Sequence, residues 1–429
     1  MRWMILGMFL LLLGSTTVAQ DTLNSKRVDQ KTLHYYYQKE WKPLIKLGRK
    51  ARRQNIDFKY LRYRMGIAHY ELGNYNYALP HFRVVARKTL QDTILEEYLY
   101  YSYLLGGREA DARFYAGTLD DAGRKRLGFQ LFRWVDEAHI TVGAKFSDLT
   151  DSVGHMPFVT VGLSHQLGTR LKYSHHFTFL SQNYQGLQYN QYEYYGKAEL
   201  ALYKALQLYG AMHFTGMTGR STFRNGVPMG ELRFEQNVQQ TGTVALFGLQ
   251  GDIGALKWKA YGAYSDWVAK TTTTGRFSPL FPPPPGAPLP PDTTFFERTL
   301  DEVWQYGIDL NYRVGLSQTQ WLSFGGHVSL QHQGTAINPI WGLRAYGQLT
   351  PKMGLELEFL QANATYFLVN DAAFASNTIE NLNAQVGLTF NYQISPKWNW
   401  YVNYTYENRQ SNNFNFNYHI LFTGLKFRL

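Results

Sequence analysis

From residue 337 to 429 apolar and polar side chains alternate along several runs. Trp341, Leu343 and Ala345 interleave with Arg344 and Tyr346, and Met353, Leu355, Leu357 and Phe359 with Glu356 and Glu358. Leu382, Ala384, Val386, Leu388 and Phe390 interleave with Asn383, Gln385 and Thr389. Trp398, Trp400, Val402, Tyr404 and Tyr406 do so with Asn399, Asn403 and Thr405. A period of two means extended strands with unlike faces. One face is apolar and aromatic; the other carries charge and amide. A soluble sandwich buries its greasy face and has little need of charge opposite it in strands this long. A transmembrane barrel turns the greasy face to lipid and the polar face to its interior.

The same pattern, followed from the start of the second half, predicts strands beginning near Glu137, Met156, Arg170, Leu187, Leu208, Gln239, Leu256, Asp301, Trp321, Ile337, Lys352, Glu380, Lys397 and Asn413. That is about fourteen strands, and bacterial single-chain barrels take even numbers. Every second link is short: 167–170, 205–207, 251–255, 315–320, 350–352 and 395–397. The intervening links 148–155, 219–237, 269–300 and 370–377 are longer. Short periplasmic turns and long external loops produce this alternation, which places the amino-terminal half and Leu429 on the periplasmic side. The link 269–300 carries four threonines from Thr271 to Thr274 and two proline runs, 282–285 and 288–291, which favour extended polyproline geometry. Trp267, Phe295 and Phe296 at its base are expected as interface anchors.

If Pro351 centres a turn, Arg344 stands opposite Glu358 and Tyr346 opposite Glu356, all facing inward. Lys172, Glu193, Lys197, Glu199, Lys257, Lys259, Asp309 and Arg313 share that inner wall. Charge of both signs there predicts cross-strand pairing around a narrow or plugged lumen, with an aqueous path as the alternative. At the end, Phe414, Phe416, Tyr418, Ile420 and Phe422 keep one phase and Leu425, Phe427 and Leu429 the other. A bulge at Thr423-Gly424 is expected to reconcile them.

The first half has a different period. Between residues 60 and 90, Gly66 and Ala68 fall where two helices must pack closely. Gly73 and Asn74 make a turn, and Tyr75, Ala78, Phe82 and Val85 recur at helical spacing. Residues 31–55, with Pro43 able to open a helix, and 93–119, with the turn Gly106-Gly107, suggest a further hairpin on each side. Charge is divided along the chain. Residues 21–135 hold 22 Lys+Arg against 12 Asp+Glu, whereas residues 136–429 hold 20 of each. The basic character therefore belongs to the helical part. Its candidate partners are an acidic protein, an acidic polymer or anionic head groups, and nucleic acid is excluded if the chain is exported. Export is expected from residues 1–19. Arg2 precedes the apolar run 5–13, and Thr17-Val18-Ala19 offers a cleavage site. With no cysteine in the chain, disulfides, thiolate metal sites and thiol nucleophiles are all excluded. Aromatics at 16% with negative mean hydropathy suit a barrel, where alternate residues alone need be apolar.

No motif for catalysis emerges. His165, His175, His176, His213, His327 and His332 are scattered over several strands, and adjacent His175 and His176 must face opposite ways. Glu356 and Glu358 share a face, but Arg344 is at hand to neutralise them. No zinc, calcium or phosphate-loop signature is present, so no cofactor, metal or catalytic residue is expected.

The helical pattern, with Gly66-Ile67-Ala68 and Gly73-Asn74-Tyr75, resembles a tetratricopeptide repeat. It departs from that pattern at Arg62, where an aromatic is usual, and at Leu90, where a proline is common. Such a repeat followed by a barrel resembles repeat-plus-barrel proteins of the Gram-negative outer membrane. The layout is like that of surface-lipoprotein assembly modulators and exopolysaccharide-export porins. The resemblance implies a short α-helical solenoid in the periplasm (20–133) that docks a protein or anionic cargo, and a barrel (134–429) that passes or delivers it. The fold expected is an α+β multidomain chain. Its repeat packs through Gly66, Ala68, Gly73, Tyr75, Ala78 and Phe82, and its lumen charges pair through Arg344, Glu356 and Glu358. Transport, export or surface assembly without catalysis is the leading function. A passive small-solute porin with a structural cap is the alternative, followed by a membrane-embedded hydrolase.

Overall fold

The computed structural model describes residues 23–89, 92–149, 153–184, 186–203, 206–227, 230–279, 293–369, 371, 374–375, 380–410 and 415–429. The expected secretory signal (1–19), Leu90 and the proline runs lie outside the described residues. The strands are β1 (Phe132–Ser147), β2 (Met156–Leu167), β3 (Leu171–Tyr184), β4 (Leu187–Tyr203), β5 (Leu206–Val227), β6 (Gly230–Ile253), β7 (Leu256–Pro279) and β8 (Thr293–Gly315). They continue as β9 (Trp321–Gln333), β10 (Ala336–Gln348), β11 (Met353–Ala364), β12 (Leu368–Val369), β13 (Phe374–Ala375), β14 (Asn381–Gln393), β15 (Trp398–Gln410) and β16 (Asn415–Arg428). Fourteen of them form one closed antiparallel barrel in which β1 pairs with both β2 and β16. The short strands β12 and β13 pair with each other apart from it.

The alternation sorts side chains as lipid and lumen require. Along β8, Trp304, Tyr306, Ile308, Leu310 and Tyr312 are exposed outward, while Val303 and Gln305 are buried inside. Along β9, Phe324, Val328 and Leu330 point out, and Ser323, Ser329 and Gln331 are buried. An apolar belt of this extent has no stable contact with water and fits hydrocarbon. None of the described helices is long and apolar enough to cross a membrane, so the crossing falls to the strands.

Two expectations are corrected. The links 219–237 and 269–300 are mostly strand. β5 to β8 run 22 to 24 residues, with Thr271 to Thr274 paired to residues 294–297. Threonine is β-branched and favours a pleated surface, so the polar run extends the sheet. A tilted strand needs about 9–11 residues to cross, so these four stand well beyond the bilayer. The bulge expected at Thr423-Gly424 is absent: β16 keeps one register with both neighbours. Phe416 and Tyr418 instead face the lumen, where they pack on Val153, while Leu421 and Leu425 face out. The ladder shifts fall elsewhere, between Arg133 and Glu137, Ala201 and Tyr203, Gln361 and Ala364, and Leu382 and Ala384.

Among the described residues seven helices precede the barrel: α1 (Ser25–Tyr37), α2 (Trp41–Arg53), α3 (Lys59–Glu71), α4 (Tyr75–Ala86), α5 (Thr93–Leu105), α6 (Glu109–Gly117) and α7 (Asp121–Arg126). Side-chain caps start three of them. Asn24 Oδ1 accepts from Arg27 N (2.8 Å), Asp92 Oδ1 from Leu95 N (3.0 Å) and Asp120 Oδ1 from Gly123 N (2.7 Å). Pro43 sits in the first turn of α2, where its missing N–H costs nothing. Each of α1 to α6 packs on the next, and α3 also touches α1 and α5. Ala68, Ala78 and Phe82 are fully buried, and Tyr75 nearly so. At Gly66 a Cβ would stand 2.6 Å from the Phe82 ring, so α3 and α4 approach as closely as they do because this residue has no side chain.

Two predictions follow from this packing. Gly66→Val should lower helical-domain stability by about 1–3 kcal/mol, read as an earlier loss of helical circular dichroism, and Phe82→Leu in the same chain should recover part of it. The second concerns the rings of His69 and His81, which stack at 5.6 Å in the buried seam between α3 and α4. Burial holds His69 down to about 4 and His81 to about 3, with Arg49 near the first and His69, Arg62 and Arg52 near the second. The unfolded rings titrate near 6.5. Between that value and about 3, then, the unfolded chain binds protons that the folded domain refuses. Stability is full above the unfolded value and falls as pH drops through this window. Helix melting temperatures measured from pH 7 to 4 should fall accordingly, less steeply in His81→Phe.

Candidate functional site in the barrel lumen

Inward-facing residues of β7 to β11, with Asp252 of β6, line a compartment between other parts of the chain above and below. Above, the link from β11 to β14, expected as an external loop, turns into the lumen. Its aromatic residues account for this, because Tyr366, Phe367 and Leu368 are buried there. Tyr366 stacks on Trp267 (5.2 Å, 19°) and its carbonyl accepts from Gln331. The amide of Gln305 clasps Leu368 from both sides. Nε2 donates to Leu368 O (2.8 Å) and Oε1 accepts from Leu368 N (2.9 Å), satisfying backbone groups that have left the sheet. Asp371 has a left-handed backbone (φ 60°), and its carboxylate takes Lys197 Nζ at 2.8 Å and Lys259 Nζ at 2.6 Å. Tyr195 Oη donates to its carbonyl (3.1 Å). Two lysines, one on β4 and one on β7, thus hold one acid of the link.

Below, the helical domain sits on the short turns. Gly73, with φ 73°, meets the Ser317 carbonyl so closely that a Cβ there would stand 1.7 Å from it. Tyr75 Oη donates to Gln318 O (2.6 Å), Gln318 Nε2 to Glu71 (2.6 Å), and the Tyr77 and Tyr312 hydroxyls lie 3.3 Å apart. Arg108 reaches Asp252 (3.8 Å), and Glu109 reaches Lys172 (3.8 Å).

Between roof and floor lies a cavity of about 370 Å³. Arg344 spans two carboxylates in it, with Nε 3.1 Å from Glu356 and Nη2 2.9 Å from Glu358. In the β10–β11 register Arg344 faces Glu358 and Tyr346 faces Glu356. Asp309 is 2.7 Å from His327 Nδ1. The Arg313 guanidinium lies 3.7 Å over Trp321, which stacks on Tyr346 (4.7 Å). Of the inner-wall residues named from sequence, Lys257, Lys259, Asp309, Arg313, Arg344, Glu356 and Glu358 line this cavity. Lys197 and Glu199 pair beside it (2.6 Å), and Glu193 lies toward His213 (3.5 Å). Gly66, Ala68, Ala78 and Phe82 sit within the helical domain, whereas Gly73 and Tyr75 touch the barrel turn.

Sequence reasoning missed Asp371, Gln305 and a second buried group, in which Glu407 accepts from Lys145 Nζ and Arg409 Nε (2.8 Å each) with the Lys145 ammonium 3.8 Å over the Tyr418 ring. It also misplaced Trp267, which is buried inward and does not anchor the interface. The signal for Trp267 was present: it continues the inward phase of Tyr261, Ala263 and Ser265. Phe295 and Phe296 are both exposed. His175 contacts His165 and Tyr173, while His176 lies against Tyr195 and His139. Among the described residues no three His, Cys, Asp or Glu side chains are placed to hold a metal ion.

No protein-family model matches the chain, and no curated protein matches it. Solved structures similar to it are barrels. The CymD monoaromatic hydrocarbon channel is 9% identical with a TM-score of 0.43, covering 73% of this chain and 92% of that one. The toluene transporter TodX of P. putida is 9% identical with a TM-score of 0.42, covering 68% and 89%. The translocator domain of the autotransporter NalP from Neisseria meningitidis is 13% identical with a TM-score of 0.38, covering 73% and 97%. Likeness at this level carries no ligand and no residue role to this chain.

The geometry around Arg344 makes a prediction. Arg344→Gln leaves two carboxylates facing one another and should cost about 1–3 kcal/mol, seen as a lower urea midpoint for loss of heat-modifiable gel migration. The neutral triple variant R344Q/E356Q/E358Q should recover most of the loss.

Proposed function

We propose that the chain is a non-catalytic transport barrel of the outer membrane, closed at rest, whose basic helical domain lies in the periplasm and docks a protein or anionic cargo. The observation that carries this reading is the compartment itself: a solute-sized cavity held between an inward-folded link and a docked helical floor. The short turns and the helical domain share one end of the barrel, which supports a periplasmic placement for that end. The helices support a tetratricopeptide-like solenoid through their sequential hairpins and the Gly66–Phe82 contact. The α2 helix buries Leu44, Ile45, Gly48 and Ala51 and turns Lys42, Lys46, Arg49, Lys50, Arg52 and Arg53 to solvent, a face suited to an acidic partner. Because Arg344 is bound to both Glu356 and Glu358, a structural role for those carboxylates is favoured over acid–base catalysis.

Planar-bilayer recording tests the closed state. The unaltered protein should be silent, and Asp371→Ala, which frees the link from Lys197 and Lys259, should conduct. A steady open conductance in the unaltered protein would replace this reading with a passive porin. Photocrosslinking in cells from positions 49 and 50 should trap a discrete partner, and a blank there would remove the docking role.

A further inference from the structure

We propose that the floor of the lumen cavity binds the anionic group of a small solute, a carboxylate or phosphate, between Arg313 and Lys257. Both side chains belong to the short-turn ends of β8 and β7, where Arg313 N donates to Ala255 O (3.1 Å). Both converge on the α5–α6 turn. From the place a Cβ would take on Gly107, Arg313 Nη1 is 2.8 Å away and Lys257 Nζ 3.8 Å. The stack of Arg313 on Trp321, itself stacked on Tyr346, occupies the flat face of the guanidinium. Among the described residues its N–H edge has no carboxylate partner and can meet a planar or tetrahedral oxyanion.

At this point Arg313 has no ion pair among the described residues, and Lys257 shares the one carboxylate it faces. Asp252 stands opposite Lys257 in the ladder, yet it lies within 3.8 Å of Arg108 from the helical domain, which also holds Asp111 at 2.5 Å. Asp309 lies against His327, Glu356 and Glu358 share the single Arg344, and Asp371 is bound by Lys197 and Lys259. Among the described residues, neither Arg313 nor Lys257 is ion-paired with a carboxylate. A guanidinium inside the lumen without a carboxylate of its own gains from an anion, and Lys257 at the same turn adds a second positive contact. The cavity has room for roughly a dozen water volumes, enough for a hexose-sized body against Trp321, Asn311 and Ser323. The inference rests on the transport reading only in making the bound anion a passenger.

Isothermal titration of the full chain in detergent tests the site with glucose 6-phosphate, glucuronate and neutral glucose. At least one of the two anions should bind, about tenfold or more tighter than glucose, and added salt should weaken it. Arg313→Gln and Lys257→Gln should each cost about tenfold. Asp252→Asn removes the competing carboxylate and should strengthen binding, a change that misfolding cannot imitate. Heat-modifiable migration verifies the fold of each variant. Failure of both anions to bind, equal binding of glucose, unchanged affinity in folded Arg313→Gln and Lys257→Gln, or no gain in Asp252→Asn would overturn the site. Because binding is read without conductance, a silent or an open bilayer record leaves this result untouched.

Discussion

Hydrocarbon offers a backbone amide no partner except another amide, and everything else in the barrel follows from that constraint. A sheet in lipid must therefore close. Here β1 meets β16 over the length from Glu137–Arg428 to Ser147–Tyr418. Once the ladder is closed, alternate residues have no choice of face. The outward set becomes an apolar belt, and the inward set carries the paired charges of Lys145, Lys197, Lys259, Arg344 and Arg409.

Closure of fourteen strands leaves more interior than the wall's own side chains fill uniformly, and the chain fills it differently around the circumference. Beside β1, β15 and β16 the wall fills itself, with Lys145, Glu407, Arg409 and Tyr418 packed into one group. Beside β7 to β11 the filling is borrowed: the β11–β14 link enters from one end and the helical domain closes the other. A buried ion gains from a partner there, because an unpaired charge in the interior costs several kcal/mol. The link supplies Asp371 to two lysines, and the helical domain supplies Arg108 to Asp252.

The helical domain is thus part of the lumen's electrostatics as well as its floor. Gly73 serves both halves of the chain. Its left-handed backbone turns α3 into α4, and its bare Cα lets that turn lie against the β8–β9 turn. A side chain there would separate the two parts.

Period, charge division and turn spacing made much of this legible from the chain alone. The fourteen strands, the apolar outer face and the Arg344–Glu358 register follow from residues two apart, because alternation is a local property of a pleated backbone. The inward Trp267 and the long β5–β8 strands were also local, but a tryptophan near a loop and a polar threonine run point to the wrong answer when each is judged by residue type. Tertiary structure alone decided which lumen charges find which partners. Asp371 lies 174 residues from Lys197 and 112 from Lys259, so their meeting depends on a loop folding inward. The sequence determined which residues could face the lumen. The fold decided which of them are neutralised, because charge pairing across a barrel is set by distance in space and leaves no periodic trace along the chain.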